Sequence, residues 1–180
     1  VHTDEGIVGI GETDLNPWIA RECIEAPGTH TMDQGLGSML IGENPLEIEK
    51  LWWKAYQATA MTGRRGALIN ALGAIDMALW DIAGKAADKP VWQLLGEKSR
   101  EHLGAYASLQ PEVGSFDAYI TSMVKWAHSA KEMGFRAAKL ETTFSGPYAN
   151  MGIREDDEKM TEVIKAVRQA VGPDFTIMVD

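Results

Sequence analysis

Phe135-Arg136-Ala137-Ala138-Lys139-Leu140-Glu141 and Phe175-Thr176-Ile177-Met178-Val179-Asp180 are two short, largely apolar runs. Between them, residues 154–171 carry a helical pattern. Strand, helix, strand is the signature of a βαβ unit and so of a parallel sheet. In a parallel α/β barrel the chemistry sits at the C-terminal ends of the strands. Lys139, Glu141 and Asp180 all fall at such ends, so three charged groups are expected on one face. Working upstream, residues 104–109 read as a further short strand and 116–133 as the connecting helix, with Gly134 as its C-terminal cap. Downstream of Glu141, residues 142–153 read as a strand-to-helix loop. Glu155-Asp156-Asp157-Glu158 open the next helix, where acids complement its dipole. Three consecutive parallel strands suit either a barrel or an open doubly wound sheet.

The first hundred residues have a different grammar. Val1-His2-Thr3 and Ile7-Val8-Gly9-Ile10-Gly11-Glu12 flank Asp4-Glu5-Gly6, a hairpin with a glycine-bearing turn. Residues 13–42 show little periodicity and read as a long connection, of the kind that carries function when it is ordered. Asn44-Pro45 is the expected start of a helix, a capping residue with proline at the first helical position. Leu68, Leu72, Ile75, Leu79 and Ile82 are spaced four, three, four and three apart, a single helical stripe, which Asp88-Lys89-Pro90 ends. Trp52, Trp53, Trp80 and Trp92 are expected in the core or between domains. Met123, Met133 and Met160 are expected to pack. The expected division is an α+β module over 1–102 and a parallel α/β module over 103–180.

The chain has 180 residues and a formal net charge of −9, which argues against nucleic acid as a partner but not against a divalent cation. Cys23 is the single cysteine; no disulfide within the chain is possible, which suits a reducing cytoplasm, and the thiol reads as packing rather than as a nucleophile. No apolar run is expected to approach the roughly 18 residues a membrane helix needs. No signal-peptide pattern opens the chain. A start on Val1 inside a strand and an end on a strand terminus suggest a piece of a longer enzyme.

Residues 3–12, from Thr3-Asp4-Glu5-Gly6 to Gly11-Glu12, resemble the second and third strands of the capping domain of the enolase superfamily, in its mandelate racemase and muconate lactonizing group. Ala74-Ile75-Asp76-Met77-Ala78-Leu79-Trp80-Asp81-Ile82-Ala83-Gly84-Lys85, with Pro90-Val91 and Leu94-Leu95-Gly96, resembles that group's most recognisable helix. Residues 134–139 resemble its second barrel strand and 177–180 its third. The resemblance implies an α+β capping domain lacking its first strand, followed by the start of a (β/α) TIM-type barrel. It implies an enzyme in which a base removes the proton α to a carboxylate and bound Mg2+ stabilises the charge that forms. Asp180 falls on the first magnesium ligand. Lys139 falls on the first of two strand-end lysines, which binds or polarises the substrate carboxylate. Glu141 departs from the pattern, standing where many relatives carry a second lysine. It is then a base itself, an acceptor for a polyhydroxy substrate, or a partner for Lys139. Trp18, Arg21 and His30 fall in the loop that covers the barrel mouth in relatives; Trp18, His30 and Tyr148 are the expected substrate-binding residues. A carboxylate at 141 suits one-base chemistry, so the leading expectation is a lyase, a dehydratase of an acid sugar or hydroxy acid. The alternatives are a racemase, epimerase or cycloisomerase, and a non-catalytic scaffold relative. A cytoplasmic homo-oligomer acting on a small carboxylate is expected of the whole protein, and no activity of these 180 residues alone.

Overall fold

The computed structural model describes residues 1–29, 31, 33–63, 65–97, 100–112, 115–141 and 157–180. The chain divides into two compact units, Val1–Ser99 and Arg100–Asp180.

In the first unit the N-terminal residues form the expected hairpin. His2 and Val8 bridge antiparallel, Gly9 N–H donates to Val1 O at 2.8 Å and Thr3 N–H to Ile7 O at 3.0 Å. The hairpin lies on α3 (Ala67–Ala87) at very short range. A Cβ on Gly9 would sit 2.1 Å from Ala78 O, and one on Gly11 1.8 Å from Ala74 O; only glycine permits that approach. The Asp81 carboxylate on α3 accepts the Ile10 N–H at 2.8 Å and the Lys85 ammonium at 2.6 Å. Lys85 also donates to Val8 O at 2.8 Å. This pair clamps strand to helix.

The segment read as a long connection contains α1 (Pro17–Glu25) and a 3-10 turn (Leu36–Met39). Asn16 caps α1, its Oδ1 accepting from Trp18 N–H and Ile19 N–H at 3.0 and 3.4 Å. The similar Asn44-Pro45 pair does not start a helix. Its Asn44 Oδ1 accepts from Leu46 N–H at 3.0 Å, closing a turn, and α2 runs Ile48–Ala58 after a non-helical Glu47. The predicted stripe of α3 is buried as expected, with Leu72, Leu79 and Ile82 at most 3% exposed, against Leu51 and Ala55 of α2 and Leu36. Burying each such side chain is worth about 1.5–3 kcal/mol. By length and composition α3 is apolar enough to cross a bilayer, its 18-residue window having a mean hydropathy of 1.3. The expectation that no stretch comes near that criterion is therefore corrected. Its buried stripe, together with Asp76, Asp81 and Lys85, is what a core helix shows. The short α4 (Val91–Leu95) follows. Trp53 and Trp92 are about half exposed, against the core expectation; Trp53 instead lies edge-on to Trp52 and Tyr56.

The second unit is a three-stranded parallel sheet in the order β1 (Ala107–Ser108), β2 (Ala137–Leu140), β3 (Thr176–Val179). β1 is shorter than the 104–109 run. The crossovers are α5 (Phe116–Glu132) and α6 (Asp157–Val171). Ser115 caps α5 through its hydroxyl, which accepts the Ala118 N–H. Tyr119, Met123 and Ala127 of α5, Val163 and Val167 of α6, and Ala138 and Leu140 of β2 form one core, all 0% exposed. Both helices thus cover the same face of a sheet whose strands follow chain order, as right-handed crossovers require. Met133, expected to pack, is 71% exposed, because it follows the last turn of α5 just before Gly134 takes φ +92°. At the lower end of the sheet, Arg168 donates to Gly172 O and Phe175 O at 2.7 and 2.6 Å, and Lys131 to Val171 O at 2.6 Å. These cations close the turn that feeds β3.

Candidate functional site

Side chains alternate along a strand. In β2 that alternation buries Ala138 and Leu140 under the helices and leaves Lys139, then Glu141, on the opposite face. Register pairs Ser108 with Lys139 and Lys139 with Met178, so these residues share that face. The pairing of Leu140 with Val179 continues, Asp180 N–H donating to Leu140 O at 3.0 Å; one residue further it sets Glu141 beside Asp180. The sequence expectation of three charged groups at neighbouring strand ends is thus matched in backbone placement.

Lys139 Nζ donates to Asp180 Oδ2 at 2.7 Å, the lysine side chain 27% and the aspartate 63% exposed. The hydrogen bond to Asp180 holds the Lys139 ammonium above the usual lysine range, with electrostatic help from Asp180, Tyr106 and Glu141. Lys139 therefore takes Asp180 as its ion-pair partner, where Glu141 had been one expectation. Glu141 is half-buried. Its backbone carbonyl accepts the hydroxyl of Tyr119, whose ring is fully buried, so the strand end is anchored from the core.

The other expected site residues are placed less completely. Trp18 is 71% exposed on α1, a helix instead of a loop. Arg21 on the same helix pairs with Glu25 at 2.7 Å. His30 and Tyr148 lie outside the described residues. Burial pushes the Cys23 thiol up, which agrees with packing and not with a nucleophile. Two residues went unremarked in the sequence, Tyr106 and Ser108. They sit on the exposed side of the β1 run at the level of Lys139, and strand alternation applied to residues 104–109 would have found them.

Asp180 is a hard oxygen donor at a strand end. Such donors suit Mg2+, which keeps several waters and commonly takes one or two carboxylates. Among the described residues no group of three or more His, Cys, Asp or Glu gathers to enclose a cation. The donor chemistry fits Mg2+ as one ligand of a set. A groove of about 790 Å³ lies elsewhere, between the hairpin, residues 37–45 and α3, walled mainly by aliphatic groups such as Val8, Ile10, Leu40 and Leu79.

Residues 1–96 match the family described as mandelate racemase / muconate lactonizing enzyme, N-terminal domain. The chain is similar over its whole length to an L-rhamnonate dehydratase of Saccharopolyspora erythraea, at 31% identity, and to a D-galactarolactone cycloisomerase of Agrobacterium fabrum, at 35%. It spans 39% and 42% of those two proteins. In structure it resembles the 3,6-anhydro-D-galactonate cycloisomerase of Zobellia galactanivorans, with a TM-score of 0.74 at 28% identity, over 99% of this chain and 43% of that one.

Proposed function

The chain belongs to the mandelate racemase and muconate lactonizing enzyme family, and on that premise we propose that it is the capping domain and the first three barrel strands of a Mg2+-dependent enzyme that removes the proton α to a carboxylate. The domains proposed are residues 1–102 and 103–180. The reaction proposed is dehydration of an acid sugar or related hydroxy acid. The observation that carries this reading is the Lys139–Asp180 pair, a cation and a carboxylate 2.7 Å apart at neighbouring parallel strand ends. The dehydratase among the similar proteins supports the reaction class.

The proton α to a carboxylate is very weakly acidic, because its loss puts a second negative charge on oxygens already charged. Mg2+, held in part by Asp180, would supply positive charge to those oxygens. Lys139 presents its ammonium on the same face, where it binds and orients the substrate carboxylate. Glu141, two residues on, is placed to accept a substrate hydroxyl or to take a proton. Trp18, His30 and Tyr148 are proposed to bind substrate and exclude water. In the reaction a base takes the proton as the Cα–H bond breaks, and that proton is returned to the β-hydroxyl as the Cβ–O bond breaks, so that one water leaves and the base is restored. The enol then becomes a 2-keto-3-deoxy acid. The protein is proposed to be a cytoplasmic homo-oligomer.

The test is to assay the full-length enzyme against acid sugars, following 2-keto acid formation with Mg2+ and with chelator. Asp180→Asn is expected to lower kcat/KM about a hundred- to thousandfold, as loss of one strong electrostatic contact does. Turnover indifferent to chelator and to Asp180→Asn would overturn the reading. The similarity to cycloisomerases favours a second reading, isomerisation. It is distinguished by a product that gains solvent deuterium without losing water.

A further inference from the structure

Lys139 has two acidic neighbours to choose from, Glu141 on its own strand and Asp180 on the next. Its ion pair is with Asp180, the proposed magnesium ligand. We infer that Lys139 is the resident counter-ion of the Asp180 carboxylate, occupying it until a divalent cation takes its place. This inference rests on the magnesium reading of Asp180 and adds a role for Lys139 before substrate arrives.

The geometry suits an exchangeable pair. Lys139 reaches Asp180 from a half-buried position on β2, through a hydrogen bond to Oδ2 of the carboxylate. A dication outbids a monocation for the same oxygens at equal distance. Once displaced, the ammonium is on a long flexible stem on the face shared with Glu141 and Ser108, free to meet an incoming carboxylate. A bare pair of carboxylates at 141 and 180 would repel each other in the cation-free protein; the lysine removes that repulsion.

Two forces act on the cation in the same direction. Lys139 competes with it for Asp180, and its charge repels it afterwards. Removing the charge should therefore tighten cation binding, although Lys139 is itself part of the site. The measurement is Mg2+ affinity by titration calorimetry in the full-length enzyme without substrate. Lys139→Met is expected to bind Mg2+ about three- to tenfold more tightly than wild type, the range open to the loss of one ion pair and of the repulsion that follows it. Lys139→Gln should do the same, and Lys139→Arg, which keeps the charge, should stay near wild type. Asp180→Asn should abolish binding. In wild type, Lys139 acetylation by acetic anhydride should rise when Mg2+ is added, and should be high and Mg2+-independent in Asp180→Asn. That measurement needs no folded Lys139 variant. Unchanged or weaker binding in Lys139→Met with Asp180→Asn still abolishing it, or labelling indifferent to Mg2+, overturns the counter-ion role and leaves the metal site standing. Mg2+ binding that survives Asp180→Asn overturns both.

Discussion

Two glycines of the first unit make opposite demands. Gly9 is held against a helix carbonyl, and its missing Cβ would lie 2.1 Å from Ala78 O and 2.6 Å from the Ile82 side chain. Gly73 lies in the middle of α3 with nothing within 4 Å of its would-be Cβ. Gly9→Ala is therefore expected to destabilise by about 2–4 kcal/mol, since backbone must move. Gly73→Ala should stabilise by about 0.5–1 kcal/mol, since alanine restricts the unfolded chain and favours helix. Urea unfolding of the two variants reads both; the same sign for both would refute the packing of hairpin on helix. At this scale the sequence was informative about type and not about partner. Lys139, Glu141 and Asp180 could be placed at strand ends from periodicity alone. Which acid the lysine would choose could not, because that depends on the register between β2 and β3, and register is a property of two strands together.

Among elements, the long helices and the strands were legible because each carries a sustained apolar period. α1 was not. It is short, its only buried residue is Ala20, and so it shows almost no stripe. Its start signal, Asn16-Pro17, is the same dipeptide type that was read at Asn44-Pro45, where the backbone turns instead. A capping dipeptide proposes a helix, and the residues that follow must supply a face to bury. The clamp between hairpin and α3 makes a pH-dependent prediction. Asp81 is held below the usual carboxylate range, first by the Lys85 hydrogen bond and next by the Ile10 N–H. A depressed folded pKa contributes stability that is complete above the ordinary carboxylate value and is lost as pH falls from there through the depressed one. The urea midpoint of the wild type should therefore fall below about pH 4. Asp81→Asn should be weaker at pH 7 and fall less steeply on acidification. Glu43, lowered by Lys54, titrates in the same direction, so the difference between wild type and variant is the diagnostic quantity. Equal slopes would remove Asp81 from the clamp.

For the molecule as a whole, the change of pattern near residue 102 suggested a division into an α+β part and a parallel α/β part, while the common face of the two crossover helices emerged only from their sharing one core. Neither outer edge of the three-stranded sheet is paired among the described residues, and Val179 on β3 is 50% exposed. Open edges with apolar side chains recruit further strands. The isolated 180-residue chain is therefore expected to self-associate with rising concentration in sedimentation velocity; a strict monomer with one sharp melting transition would contradict this. The clustering of Arg168 and Lys131 around the turn before β3 has a consequence for how this fold is able to change. Those cations tie down one end of the sheet, and Asp180 and Lys139 stand at the other, about 13 Å away along four residues of strand. If the proposed function holds, substitutions at the Lys139–Asp180 end should change specificity while leaving the tether, and with it the assembly of the sheet, in place.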